Sequence, residues 1–233
     1  MAGERLASLG LVLPTTPPVR RRPTFRGVFH LLAAVVAFPA TAWLVSRAGS
    51  DTAEFAAGVY GGSLVVLFTV SATYHRVLWT DQRIRAAVGR IDHSAIFVLI
   101  AGTYTPFCLL IGSAGGYALL ATVWASALLG MVIVVFFPRT PKPVRSAIYV
   151  LLGWLIVPFL PALHAALGPG PFVLILAGGA CYTVGAIIYA ARRPDPFPEV
   201  FGFHEIFHLL VVVAAACQYL AVVAALRVMG AAG

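Results

Sequence analysis

Residues 203–210 read Phe-His-Glu-Ile-Phe-His-Leu-Leu and open an apolar run that continues to Val228. Positions i and i+4 of a helix share a face, so His204 and His208 point the same way. About 20 mostly apolar residues are enough to span a bilayer as a helix, and two imidazoles inside such a run are costly unless they have partners. The fold and the site both follow from finding those partners.

Working outward, the 233 residues are 61% hydrophobic and only 10% charged, with a mean hydropathy of +0.94. That is too apolar for a soluble domain of this length. Six further apolar segments precede the last one: Gly27 to Ser46, Phe55 to Leu78, Ile91 to Ile111, Gly116 to Phe137, Ser146 to His164 and Pro171 to Ala191. The expected architecture is an all-α, seven-transmembrane helix bundle, a multi-pass protein of the cell membrane. Residues 1–26 are expected to form a flexible basic tail and residues 27–233 the membrane domain. Arg20, Arg21 and Arg22, with Ala40-Thr41-Ala42, loosely match a twin-arginine signal and a cleavage site. Positive charge flanking an uncleaved first span accounts for them more simply. Gly58 and Gly62 form a G-x-x-x-G that predicts close approach of another helix. Pro39, Pro106, Pro158 and Pro161 fall inside spans, where neighbouring helices can re-satisfy backbone groups freed by a kink.

The net charge of +8 shows no basic face interleaved with aromatics of the kind nucleic acid requires, so no nucleic-acid partner is expected. It follows topology instead. Fourteen of the sixteen lysines and arginines fall in the tail and in the second, fourth and sixth connections, leaving Arg47 and Arg227 for the other side. The positive-inside rule then puts the N-terminus in the cytoplasm and the C-terminus outside. Cys108, Cys181 and Cys217 lie in apolar runs without metal or redox spacing and read as packing residues. Nothing in the sequence fixes an oligomeric state.

Orientation gives the polar residues a depth. His75 ends the second span, with Ser71 one turn deeper on the same face, Asp92 falls in the first turn of the third span, and His204 and His208 open the seventh. Ser71, His75, Asp92, His204 and His208 therefore share one layer, within about two helical turns of the cytoplasmic face. Three neutral imidazoles with a carboxylate or water suit zinc, and a bound cation offsets the cost of burying Asp92. The alternative is an interfacial cluster, solvated or paired with Arg90. His30 shares the layer but reads as interfacial, His93 as a packing residue, and His164 as belonging to the opposite side. His204 to His208 also matches H-E-x-x-H, the metalloprotease pattern with glutamate as base. That reading leaves Ser71, His75 and Asp92 unexplained, and an acid at a helix N-terminus is favoured by the dipole in any case.

SATYHRVLW (71–79), RIDHSAIFVLIAGTYTPF (90–107) and FGFHEIFHLLVV (201–212), in this order across seven spans, resemble the hemolysin III proteins. These are the bacterial branch of the progestin and adipoQ receptor family, which is related to alkaline ceramidases. The resemblance runs from Arg26 onward. It implies a seven-helix bundle with zinc held by His75, His204 and His208, and Asp92 and Ser71 beside it to hold or activate water. Adiponectin-type receptors have glutamine at the position of Glu205, which favours Asp92 over Glu205 as base. The implied chemistry is metal-dependent hydrolysis of a lipid amide or ester, with a membrane lipid as substrate or ligand and a role in membrane homeostasis. The alternatives are a receptor or regulator with structural zinc, and the pore-forming cytolysin that the family name suggests. No amphipathic pore-lining helix or regular array of charges crosses the bilayer to support a pore.

Overall fold

The computed structural model describes residues 22–231. Arg5, Arg20, Arg21 and most of the expected tail lie outside the described residues. Seven helices long and apolar enough to cross a membrane follow one another: α1 (Val28–Ser46), α2 (Asp51–Arg76), α3 (Gln82–Ile111), α4 (Ala114–Phe136), α5 (Lys142–Leu167), α6 (Pro169–Ala191) and α7 (Phe203–Ala231). The protein is an all-α, seven-helix multi-pass membrane protein, with no β-strand among the described residues. Consecutive helices pack side by side, and α7 also touches α1, α2 and α3, which places it inside the bundle.

Local chemistry sets the helix ends. The Ser50, Asp81 and Ser113 side chains accept the backbone N–H groups of Ala53, Arg83 and Gly116, the usual device for satisfying the first turn. Gly112 ends α3 in the left-handed conformation, φ 61°, open to glycine without a steric cost. Gly27, φ 77°, starts α1 against α2, where a Cβ would stand 2.6 Å from that of His75. A side chain there is excluded twice over, by conformation and by space.

Two expectations need correction. Asp92 is not in the first turn of the third span: α3 begins at Gln82 behind the Asp81 cap, so Asp92 is almost three turns along. The helix continues beyond the apolar run through Arg83, Arg85 and Arg90, and hydropathy marks where lipid ends, while capping marks where the helix does. Among the described residues the Gly58-x-x-x-Gly62 pair does not receive a neighbour either, since a Cβ on either residue meets nothing within 4 Å. The packed face of α2 carries Ala53, Ala56, Ala57, Tyr60 and Gly61, all fully buried or nearly so. Close approach occurs instead at Gly102 of α3, where a Cβ would stand 2.7 Å from Ser63 Cβ. Gly102→Ala is therefore expected to destabilise the bundle by about 1–3 kcal/mol through overpacking, and Gly58→Ala to leave it unchanged. Thermal unfolding of the two variants in detergent measures the contrast.

The break expected at proline occurs in α5, whose helical parts Lys142–Gly153 and Leu160–Leu167 flank a 3-10 stretch, Trp154–Phe159. The freed groups are satisfied from α3. The Tyr104 hydroxyl accepts the Ile156 N–H at 2.9 Å and donates toward the Gly153 carbonyl at 2.7 Å. A cavity of about 1190 Å³ lies beside the bend, lined from α2, α3, α5, α6 and α7.

Candidate metal centre

The site lies where the last turn of α2 meets the first turns of α7. His75 and His208 are buried and His204 is half-buried. Their ring centroids are 4.6–4.9 Å apart, and one nitrogen from each falls within 4.8 Å of the others. Nε2 of His75 is 3.3 Å from Nε2 of His204. Two nitrogens on one tetrahedral zinc, each about 2.0–2.1 Å from the ion, stand about 3.3 Å apart, so this pair already has ligand spacing. Among the described residues His208 Nδ1 is buried without a hydrogen-bond partner, a loss of about 1–3 kcal/mol for a buried polar group that another interaction must offset. Donor type, spacing and the unpartnered nitrogen together fit a zinc ion, and the residues that would hold it are His75, His204 and His208.

Asp92 reaches the same point from α3. Its Oδ2 is 3.8 Å from His75 Nε2, the nitrogen that faces His204. The carboxyl therefore looks into the cluster and not onto the outer edge of the ring. Ser71, buried one turn from His75 on α2, lines the same cavity as Asp92. The cluster sits at the head of the large cavity, which continues past Phe107 and Leu160 to Ile175 and Gln218. Gln218 is ten residues beyond His208, about 15 Å along α7. Geometrically this is a polar, metal-competent head on a long, mostly apolar bore.

A match to the family model described as haemolysin-III related extends over residues 19–219. The chain belongs to this family. It is 36% identical over 200 residues to Hemolysin-3 of Bacillus cereus, covering 84% of this chain and 87% of that one. It is 28% identical over 187 residues to the monocyte to macrophage differentiation factor of Homo sapiens, covering 77% and 74%. The adiponectin receptor protein of Drosophila melanogaster is 26% identical over 214 residues, 82% of this chain and 47% of that longer protein. The match to the family model encloses all three histidines, Asp92 and Ser71.

Around this family's core, the structure changes the reading of three residues, His30, Arg26 and Glu205. His30 is not interfacial: it is 3% exposed, and its ring stacks on His208 at 3.9 Å and 7°. The signal was present, because His30, Ala34 and Ala37 recur at helical spacing as the buried face of α1,. Arg26 pairs with Glu205, whose other carboxyl oxygen accepts the Gly202 N–H at 2.9 Å. Glu205 is 1% exposed and ties the entry of α7 to the entry of α1. Backbone bonds from Thr24 to Glu199 and from Phe25 to Val200 extend the same tie. His93 packs as expected, its Nδ1 2.5 Å from the Gly89 carbonyl. His164 lies at the other end, against Phe172.

Proposed function

We propose that the protein is a zinc-dependent hydrolase of lipid amides or esters, working at the cytoplasmic side of the membrane and acting in membrane homeostasis. The arginine distribution supports that side. The observation that carries the reading is the carboxyl of Asp92 aimed at the nitrogen that His75 presents to the histidine cluster, at the mouth of an acyl-sized apolar bore. Zinc held by His75, His204 and His208 would supply a Lewis acid that lowers the pKa of water toward about 7 and polarises the scissile carbonyl.

The chain's own residues do the rest. Asp92 takes a proton from the attacking water as the oxygen adds to the carbonyl carbon, and returns it to the nitrogen or oxygen of the departing headgroup. Ser71 holds the Asp92 carboxyl in place from below. The bore keeps the acyl chain out of water and sets the scissile bond near the layer of the headgroups.

The test is release of free fatty acid from N-acyl and O-acyl lipids by the purified protein in phosphatidylcholine nanodiscs. Asp92→Asn is expected to lower turnover by about 100- to 10,000-fold while zinc stays at wild-type content. No release from any lipid tested, with zinc retained, overturns the enzyme reading. A second reading has its own observation: the three histidines link α2 to α7 as a staple would. On that reading Asp92→Asn is silent and loss of a histidine unfolds the bundle.

A further inference from the structure

Lys142 and Arg145 occupy the first turns of α5 and line the cavity. Among the described residues neither has an ion-pair partner. The Arg145 Nε is buried without a hydrogen-bond acceptor among the described residues, and Arg145 shares the cavity wall with His93, Tyr149 and Tyr189. Lys142 Nζ lies 4.7 Å from the centre of the Tyr189 ring and 5.9 Å from that of Phe203. The Tyr189 ring is in turn 5.5 Å from that of His204, so one aromatic side chain separates the ammonium from the metal-competent cluster.

This placement is unfavourable without a ligand. Like charges at i and i+3 repel, and cations at a helix N-terminus add to the positive end of its dipole. A buried guanidinium N–H without an acceptor is costly as well. Topology does not demand it, because Arg139 in the same connection is exposed and serves the positive-inside rule equally well,. The nearby carboxylates are already engaged or face elsewhere: Glu205 takes Arg26, Asp92 faces His75, Asp195 accepts the Phe203 N–H, and Glu199 is exposed. Arg22 and Arg85 line the same cavity and add positive charge to it. Partial burial, then the charges of Arg85, Arg76 and Arg26, hold the Arg22 pKa below its usual value.

We infer that Lys142 and Arg145 form an anion-binding rim that clamps the phosphate-type headgroup of an amphiphile whose chain enters the bore. A guanidinium matches phosphate oxygens in bidentate fashion, and the ammonium adds a point charge. The substrate class is then an acyl lipid carrying an anionic headgroup. That last step rests on the hydrolase reading, whereas binding stands on the rim alone.

Binding of dodecyl phosphate, dodecanol and inorganic phosphate to metal-stripped protein in phosphatidylcholine nanodiscs tests it. Dodecyl phosphate is expected to bind wild type at least about tenfold more tightly than it binds Lys142→Gln/Arg145→Gln, the scale of one or two lost charge-assisted hydrogen bonds. Arg83→Gln/Arg139→Gln removes the same charge from exposed positions outside the cavity and is expected to bind as wild type does. Equal loss in both pairs of variants shows surface electrostatics and overturns the rim. Dodecanol binding wild type as tightly as dodecyl phosphate overturns it without reference to any variant's folding. Inorganic phosphate binding as tightly as dodecyl phosphate makes free phosphate the ligand and removes the lipid. Rim binding without hydrolysis of any lipid sinks the hydrolase reading alone, and hydrolysis without rim selectivity sinks the rim alone.

Discussion

Alanine in place of His208 is expected to take bound zinc from about one ion per chain to none after purification. His208 is 2% exposed, and its Nδ1 has no protein partner, so no water-facing alternative competes for the ring. Zinc bound by a set of protein ligands is held by about 10–16 kcal/mol in the peptide systems where it is measured. Losing one of three protein donors removes a quarter to a third of that, a weakening of at least about 60-fold. His75→Ala should do the same, since its Nε2 is the nitrogen shared by the His204 contact and the Asp92 approach. His93→Ala and His164→Ala should keep the ion, because the first is tied to the Gly89 carbonyl and the second lies at the far end. Elemental analysis of the four variants against wild type reads the result. Zinc retained in full by His75→Ala and His208→Ala would remove the metal centre.

The parts of this protein that hydropathy can report were legible before any coordinates. Seven apolar runs became seven spans, because a bilayer demands continuous hydrocarbon-compatible sequence wherever a helix crosses it. The ends were not legible to the same degree. Gln82 to Arg90 is helical but polar, so the apolar pattern began α3 nine residues late and misplaced Asp92 within it. Gly58 and Gly62 have the spacing of a packing motif, yet spacing cannot say which face of α2 looks at lipid. The layer containing Ser71, His75, Asp92, His204 and His208 could be deduced because depth is fixed by distance along each helix. Rotation about the helix axis, which aims Asp92 at His75, needed the packed bundle.

Arginine and lysine carried two kinds of information, and the sequence separates them poorly. Arg139 and Arg145 count equally in a topology argument, yet one is exposed and the other puts a buried Nε into the cavity wall. Arg26 read as the end of a tail and proved to be the partner of Glu205. The reason is the connection before α7: Phe201 stacks edge-on against Phe25 and Phe29, and those contacts bring the start of α1 across the bundle to the start of α7. Pairings of this kind span 179 residues and leave no local pattern.

Glu205→Ala is expected to destabilise the protein by about 3 kcal/mol without lowering turnover per folded molecule. One carboxyl oxygen pairs with Arg26 and the other accepts the Gly202 N–H, so alanine strands a guanidinium that is only a quarter exposed together with a buried backbone donor. Breaking a buried pair from one side typically costs about 3–5 kcal/mol, and the partial exposure of Arg26 sets the lower end here. Glu205→Gln keeps an acceptor for Gly202 and a neutral contact for Arg26, and should cost about 1 kcal/mol. Arg26→Gln combined with Glu205→Gln should cost less than the two single changes added together, the mark of a direct pair. A role for Glu205 as the base, as H-E-x-x-H implies, demands the reverse pattern: a stable Glu205→Gln protein with unchanged zinc and no activity. Thermal unfolding and fatty-acid release measured on the same preparations decide between the two. A carboxylate paired with the Arg26 guanidinium and bonded to the Gly202 N–H is a weakened base,, whereas Asp92 faces the histidine cluster across the bundle.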